Sequence, residues 1–236
     1  MADSTSQETL RDEALVLADV IQRRKTLKVL ADAENPVSLS PETVERNAPL
    51  LLEALRVSGW APFHFDRGED GIAEPWRAYV LQYEDCRNLA PQLFQWFPDL
   101  PASSKIPRML YACGALVLVT WIPQFYHLAD RKPGQITTDE EHLAATAAMV
   151  QNLLLLLTAQ GMGTYWSSGG NLGSQEFFQH VGIPTGERLS AAVFVEYPET
   201  LEQSLERLPG KHRNSRSDRW IQPLSITPMA SDPSKT

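Results

Sequence analysis

The chain has 236 residues, 43% hydrophobic and 21% charged, with a net charge of −8. That length suits one domain with tails and a sizeable core. The acidic balance argues against a broad nucleic-acid surface, because phosphates need a basic field. Cys86 and Cys113 form no disulfide framework and match no zinc spacing, so they are expected to be packed thiols in a reducing compartment.

Residues 1–9 open polar and acidic, without the basic and apolar blocks of a signal segment, and are expected to be a flexible tail. A soluble, cytoplasmic protein is the expectation. The body runs over residues 10–225, and a second flexible tail over 226–236. A first helix is predicted through DEALVLADVIQRRK, with Leu15, Ala18, Ile21 and Gln22 at helical spacing. Ser40 and Pro41 cap and open a second, reaching about Ser58. RAYVLQY, Arg77 to Tyr83, reads as a strand, and a helix follows from Asp85 to Phe97.

GALVLVTW, Gly114 to Trp121, is a short continuous apolar run and is predicted as a central strand buried on both faces. Thr138 and Glu141 have capping-box spacing, so a long helix is expected from there to about Gln160. Its apolar stretch, Leu143 to Leu157, is shorter than the ~20 residues of a membrane span and is read as a core or subunit-interface helix. TAQGMGTYWSSGG follows; taken alone it is a helix stop at Gly161 or Gly163 and an irregular loop. SQEFFQHVG is a short helix ended by Gly182, and LSAAVFVEY, Leu189 to Tyr197, a further strand. Long helices around a few strands out of strict alternation indicate an α+β sandwich.

Familiar catalytic sets are missing. The five histidines never take a metal-ligand spacing, no GxSxG occurs, and the glycines of GMG and SGGNLG follow a helix rather than a strand. Asp139 to Glu141 suit the positive end of the helix they are expected to open. A chain without an acid–base set points to chemistry supplied by a cofactor. Two basic segments bear on this: RRKTLK, Arg23 to Lys28, and GKHR, Gly210 to Arg213. The first is also what a helix C-terminus favours, and the second also reads as a solvated loop. Together they could converge on one phosphate.

Taken in order, these segments resemble the flavin-dependent nitroreductase family, over roughly Leu15 to Leu224. The matching pieces are Arg23-Arg24-Lys25, Ala61-Pro62-Phe63-His64, Glu74-Pro75-Trp76, Gly161-Met162-Gly163-Thr164-Tyr165-Trp166-Ser167-Ser168-Gly169, Gly182-Ile183-Pro184, Glu196-Tyr197-Pro198, and Lys211 with Arg213. The resemblance implies a sandwich with a mixed or antiparallel central sheet and a long central helix at a homodimer interface, where FMN binds. Its phosphate would lie among Arg23, Arg24, Lys25, Lys28, Lys211 and Arg213. The Ala-Pro loop of the other subunit would bring Trp60 and His64, and Tyr165, Trp166, Ser167, Ser168 and Gly169 would line the ring. For Trp166, core packing is the competing reading.

The implied activity is an NAD(P)H oxidoreductase of alternating half-reactions, with a nitroaromatic, quinone or similar small acceptor. Flavin N5 carries the hydride, so no catalytic side chain or metal is required, and no membrane partner. Lys25, Phe63, Glu74, Ser167 and Glu196 depart from the family pattern, as does the acidic loop Phe65–Ala73, which could crowd the cavity. These departures keep open a flavin-binding carrier or sensor without turnover. A cofactor-free helical interaction protein is the third reading.

Overall fold

The structure, a computed structural model, describes residues 4–67, 71–123 and 133–224. In chain order the elements are α1 (Ser4–Arg23), β1 (Leu27–Leu30), α2 (Pro41–Ser58), β2 (Trp76–Leu81), α3 (Tyr83–Trp96), α4 (Lys105–Leu110) and β3 (Ala115–Trp121). Then come α5 (Pro133–Ala159), β4 (Gly163–Ser167), α6 (Gln175–Val181), β5 (Arg188–Glu196) and β6 (Glu206–Pro209). β2, β3, β5 and β4 form, in that order, a fully antiparallel sheet. β1 and β6 pair antiparallel as a separate ribbon. A parallel bridge from Thr26 to Thr164 ties the ribbon to β4.

Every residue of β3 is buried, as its unbroken apolar run requires. Strand alternation divides those side chains between two layers. Val117 and Val119, with Val193 and Val195 of β5, face Leu51 and Ala54 of α2 and Met149, Val150, Leu153, Leu154 and Leu157 of α5. Leu116 and Leu118, with Ala192 and Phe194, face Cys86, Leu89, Ala90 and Leu93 of α3, Leu110 of α4 and Phe177 and Phe178 of α6. Both cysteines are buried free thiols, the packing role expected of them.

Local signals explain most boundaries. Ser40 Oγ accepts the Thr43 N–H at 3.2 Å and Pro41 occupies the first turn of α2. Gly182 ends α6 with φ +77°, a conformation glycine adopts without penalty.

Four expectations need correction. α1 begins at Ser4, not Asp12, and its apolar side is open: Leu15 is 63% and Ile21 50% exposed. α5 begins at Pro133, so Thr138 caps nothing and donates its hydroxyl to the Gly134 carbonyl within the helix. Asp139 is consequently buried past the first turn. The apolar stretch of α5, Thr137–Ala159, is also long enough to cross a membrane by length and composition; here it packs between α2 and the sheet. Fourth, Gly163–Ser167 is not a loop but the edge strand β4. Backbone pairing with β5 places Gly163 opposite Glu196 and overrides the weak strand propensity of a glycine-led segment. The tail over 226–236 lies outside the described residues.

Candidate functional site

The two basic segments meet. α1 ends at Arg23, and the chain turns through Arg24 and Lys25 into β1. β6 runs back along β1, Gly210 donates to the Thr26 carbonyl at 3.1 Å, and the chain continues directly into Lys211, His212 and Arg213. Arg213 Nη1 donates to the Arg24 carbonyl and Nη2 to the Gln22 carbonyl, each at 2.7 Å. Those carbonyls close the C-terminus of α1, where the helix supplies no further N–H partner and a cation is favoured. The GKHR segment is therefore a docked arm rather than a free loop.

Cations outnumber anions there. Arg24 is half-buried, and its guanidinium is held below its ordinary pKa by burial first, then by repulsion from Arg216 and Arg213. Two adjoining hollows share Lys25, Leu27 and Arg213 as a wall. The larger, about 650 Å³, is also lined by Arg23, Arg207, Leu201, Thr158 and the Gly161-Met162-Gly163 corner. The smaller, about 290 Å³, is also lined by Arg24, Thr26, Lys211, His212 and Arg216. No carboxylate lines either hollow among the described residues.

Arg207 escaped sequence reasoning, and so did Arg216. Arg207 Nη2 meets Glu196 Oε1 at 2.5 Å and donates to the Thr200 carbonyl at 2.8 Å, while Nη1 donates to the Gln203 carbonyl at 2.6 Å. Glu196 is 4% exposed, so this ion pair fixes β6, and through it the arm, against the sheet. Glu196, which departs from the family pattern, is thus an anchor. For Arg216 the available signal was the continuation of the basic run through Arg213-Asn214-Ser215-Arg216.

The glycine-serine segment divides. Tyr165 and Trp166 are consecutive on a strand and point to opposite faces. Tyr165 packs near Phe194 and carries the Lys28 ammonium 4.7 Å above its ring centre. Trp166 packs against the α5 layer and donates Nε1–H to the Ser190 carbonyl at 3.3 Å. Trp166 thus packs on the α5 side of β4 and Tyr165 on the other. Beyond β4, Ser167 Oγ accepts the Gly169 N–H at 3.1 Å. Ser168 is exposed. Gly169 turns the chain at φ +88°, where a Cβ would lie 2.2 Å from Leu189 Cδ2.

Trp60 and His64 do not join the basic hollows within one chain. Trp60 is 84% exposed and borders a different, apolar groove of about 720 Å³ with Val16 and Leu17 of α1, Val57 of α2 and Leu155 and Leu156 of α5. His64 is exposed, whereas its neighbour Phe63 packs edge-on to Trp76 at 5.6 Å, which explains an aromatic there. Residues 68–70 of the loop from Phe65 lie outside the described residues; the described ones line neither basic hollow. Arg67 ties it down through a buried pair with Glu187 at 3.2 Å. Glu187 also accepts the hydroxyls of Tyr79, at 3.0 Å, and Thr120.

A family model described as the nitroreductase family matches residues 35–195. A protein of Bacillus subtilis (strain 168) named "Putative NAD(P)H nitroreductase YfhC" is 24% identical over 203 residues, 84% of this chain and 92% of its own length. The crystal structure of a nitroreductase-like family protein from Bacillus cereus is 25% identical, with a TM-score of 0.56 over 77% of this chain and 84% of that one. A nitroreductase from Bacteroides fragilis, crystallised with bound FMN, is 14% identical, with a TM-score of 0.52 over 89% of this chain and 98% of its own; that likeness is one of fold.

Proposed function

This chain belongs to the nitroreductase family, and we propose that it is an FMN-dependent NAD(P)H oxidoreductase acting on small electron-poor acceptors such as nitroaromatics and quinones. The observation that carries the reading is the docking of Arg213 on the end of α1, which gathers cations from both ends of the chain around hollows that no carboxylate lines among the described residues; Arg23 and Arg207 are paired with Asp19 and Glu196, whereas Lys25 and Arg213 have no ion pair among the described residues. Those cations lie outside the residues matched by the family model, so the cradle is an independent line of support. A flavin phosphate suits it: a dianion relieves the mutual repulsion, and arginine forks and a lysine point charge complement its oxygens.

The larger hollow is of nucleotide size, and Arg23, Lys25 and Arg213 would hold the phosphate there. When bound, FMN supplies the hydride chemistry between NAD(P)H and the acceptor. The protein's part is placement and field. Lys28, beside Tyr165, adds positive potential near the edge of β4.

A homodimer completes the proposal. Leu15, Val16, Leu17 and Ile21 of α1 and Leu50 and Leu52 of α2 are all exposed, and Val16 and Leu17 line the Trp60 groove. An apolar face of that kind is covered, in a soluble chain, by a self-complementary copy. Trp60 and His64 would then reach the partner's flavin.

An absorption spectrum of purified protein, before and after NADPH or NADH under argon, tests the proposal. A flavin spectrum that bleaches and returns on adding a nitroaromatic is expected. Bound flavin that neither nucleotide bleaches would leave only a flavin carrier. Colourless protein unable to take up FMN would refute the cradle.

A further inference from the structure

The two buried cysteines meet. Cys86, in the first turn of α3, donates its thiol hydrogen to the Leu81 carbonyl at 3.6 Å, at the end of β2. Cys113, just ahead of β3, donates to the Leu110 carbonyl at 3.8 Å. β2 and β3 are paired neighbours with Leu81 opposite Leu116, so the starts of α3 and β3 lie side by side. Arg87, next to Cys86, donates to the same Leu110 carbonyl that Cys113 meets, and to the Val37 carbonyl at 3.0 Å. The two thiols interact directly, and one phenol, Tyr197, faces both. Contact with Cys113, and then burial, push the Cys86 thiol well above its ordinary range. Burial opposes ionisation of Cys113 too, but the Cys86 thiol and the Arg87 guanidinium outweigh it and draw Cys113 down. Cys86 is therefore the proton holder and Cys113 the easier thiolate.

Cys113 also has an opening. A gap of about 10 Å³, room for one water-sized molecule, is lined by Cys113, Met109, Tyr165, Gly163, Leu27 and Glu196 among others. Its charged wall is the buried Glu196, whose Oε1 is taken by Arg207 and whose Oε2 has no hydrogen-bond partner among the described residues. Leu27 and Gly163 also wall the larger hollow, so the gap lies behind it; no cation lines the gap among the described residues, which sets it apart from both hollows.

We propose that Cys113 and Cys86 form a site of reversible oxidation, in which hydrogen peroxide admitted to the gap makes Cys113 a sulfenic acid and Cys86 resolves it as an intramolecular disulfide. In the first step the Cys113 thiolate attacks one peroxide oxygen. The S–O bond forms as the O–O bond breaks, and the departing hydroxide takes up a proton to leave as water. In the second step the Cys86 sulfur displaces the sulfenic hydroxyl, which leaves as water with the Cys86 proton. Two thiols and one peroxide become a disulfide and two waters, with two electrons passing from sulfur to oxygen. Glu196 Oε2 is the available acceptor for a peroxide hydroxyl. No step requires a bound flavin.

Intact-mass spectrometry of the purified, reduced protein, before and after a few equivalents of hydrogen peroxide, tests the proposal. A loss of about 2 Da is expected, with the Cys86 and Cys113 peptides linked and dithiothreitol restoring both thiols. Cys86→Ser should stop at a sulfenic acid, about 16 Da heavier and captured by dimedone, whereas Cys113→Ser should leave Cys86 unmodified. Since the gap belongs to the folded protein, dilute urea should not speed the reaction. A rate that climbs steeply with urea would mean that the thiols react only in the unfolded chain, and would refute the proposal. An unchanged mass, a disulfide between two chains, or a sulfenic acid on Cys86 in Cys113→Ser would refute it equally. Should a serine variant fail to fold, the wild-type mass, linkage and urea dependence decide.

Discussion

Arg213→Leu tests the central claim because the residue has two separable duties. Its guanidinium closes the end of α1 through two 2.7 Å hydrogen bonds and forms the wall shared by both hollows. The first duty is performed at an exposed position, where a cation at a helix C-terminus contributes about 0.3–1 kcal/mol, so the loss of stability should be small. The second is a hydrogen bond to a charged phosphate, about 1.5–3 kcal/mol, or roughly 10–150-fold in the dissociation constant for FMN. Quenching of flavin fluorescence on titrating apoprotein measures it, with riboflavin, which lacks the phosphate, as the internal control. FMN should lose its advantage over riboflavin while riboflavin binding stays as it was. Arg213→Lys, which keeps the charge but not the fork, should fall between. Equal weakening of both flavins would show that Arg213 acts only through the fold, and no weakening of either would remove it from the site.

Arg67→Met should cost about 3–5 kcal/mol in urea unfolding, because it strands Glu187 as a buried carboxylate whose side chain is 2% exposed. Part of that loss should return in the double variant with Glu187→Gln; a cost below 1 kcal/mol would mean the pair is dispensable. Gly169→Ala should destabilise by about 1–3 kcal/mol, since it combines positive φ with overlap on Leu189, and a neutral melting temperature would refute that turn geometry. Leu17→Asp, on the exposed face of α1, should shift the sedimentation coefficient from dimer to monomer. A wild-type monomer at micromolar concentration would overturn the proposed assembly.

Several features are legible in the sequence because their causes are local. Ser40-Pro41 opens α2 through its own hydroxyl and ring, Gly182 ends α6 by its positive φ, and the apolar run from Ala115 to Trp121 cannot be other than interior. The order of the motifs is also sufficient to suggest the family. The candidate site is only half legible: the two basic segments are visible, but 189 positions separate Arg24 from Arg213. Their meeting depends on β6 returning antiparallel along β1, a ribbon formed from two four-residue strands too short to announce themselves. Register likewise decides the fate of Tyr165 and Trp166, since neighbours on a strand must face opposite sides. Nothing near them in sequence marks Glu196 and Glu187 as buried; the fold brings Arg207 and Arg67 to them in the interior. Residue type and near neighbours specify where helices and strands begin; which charges are neutralised, and which are left waiting for a ligand, is a property of three-dimensional proximity that burial then makes energetically decisive.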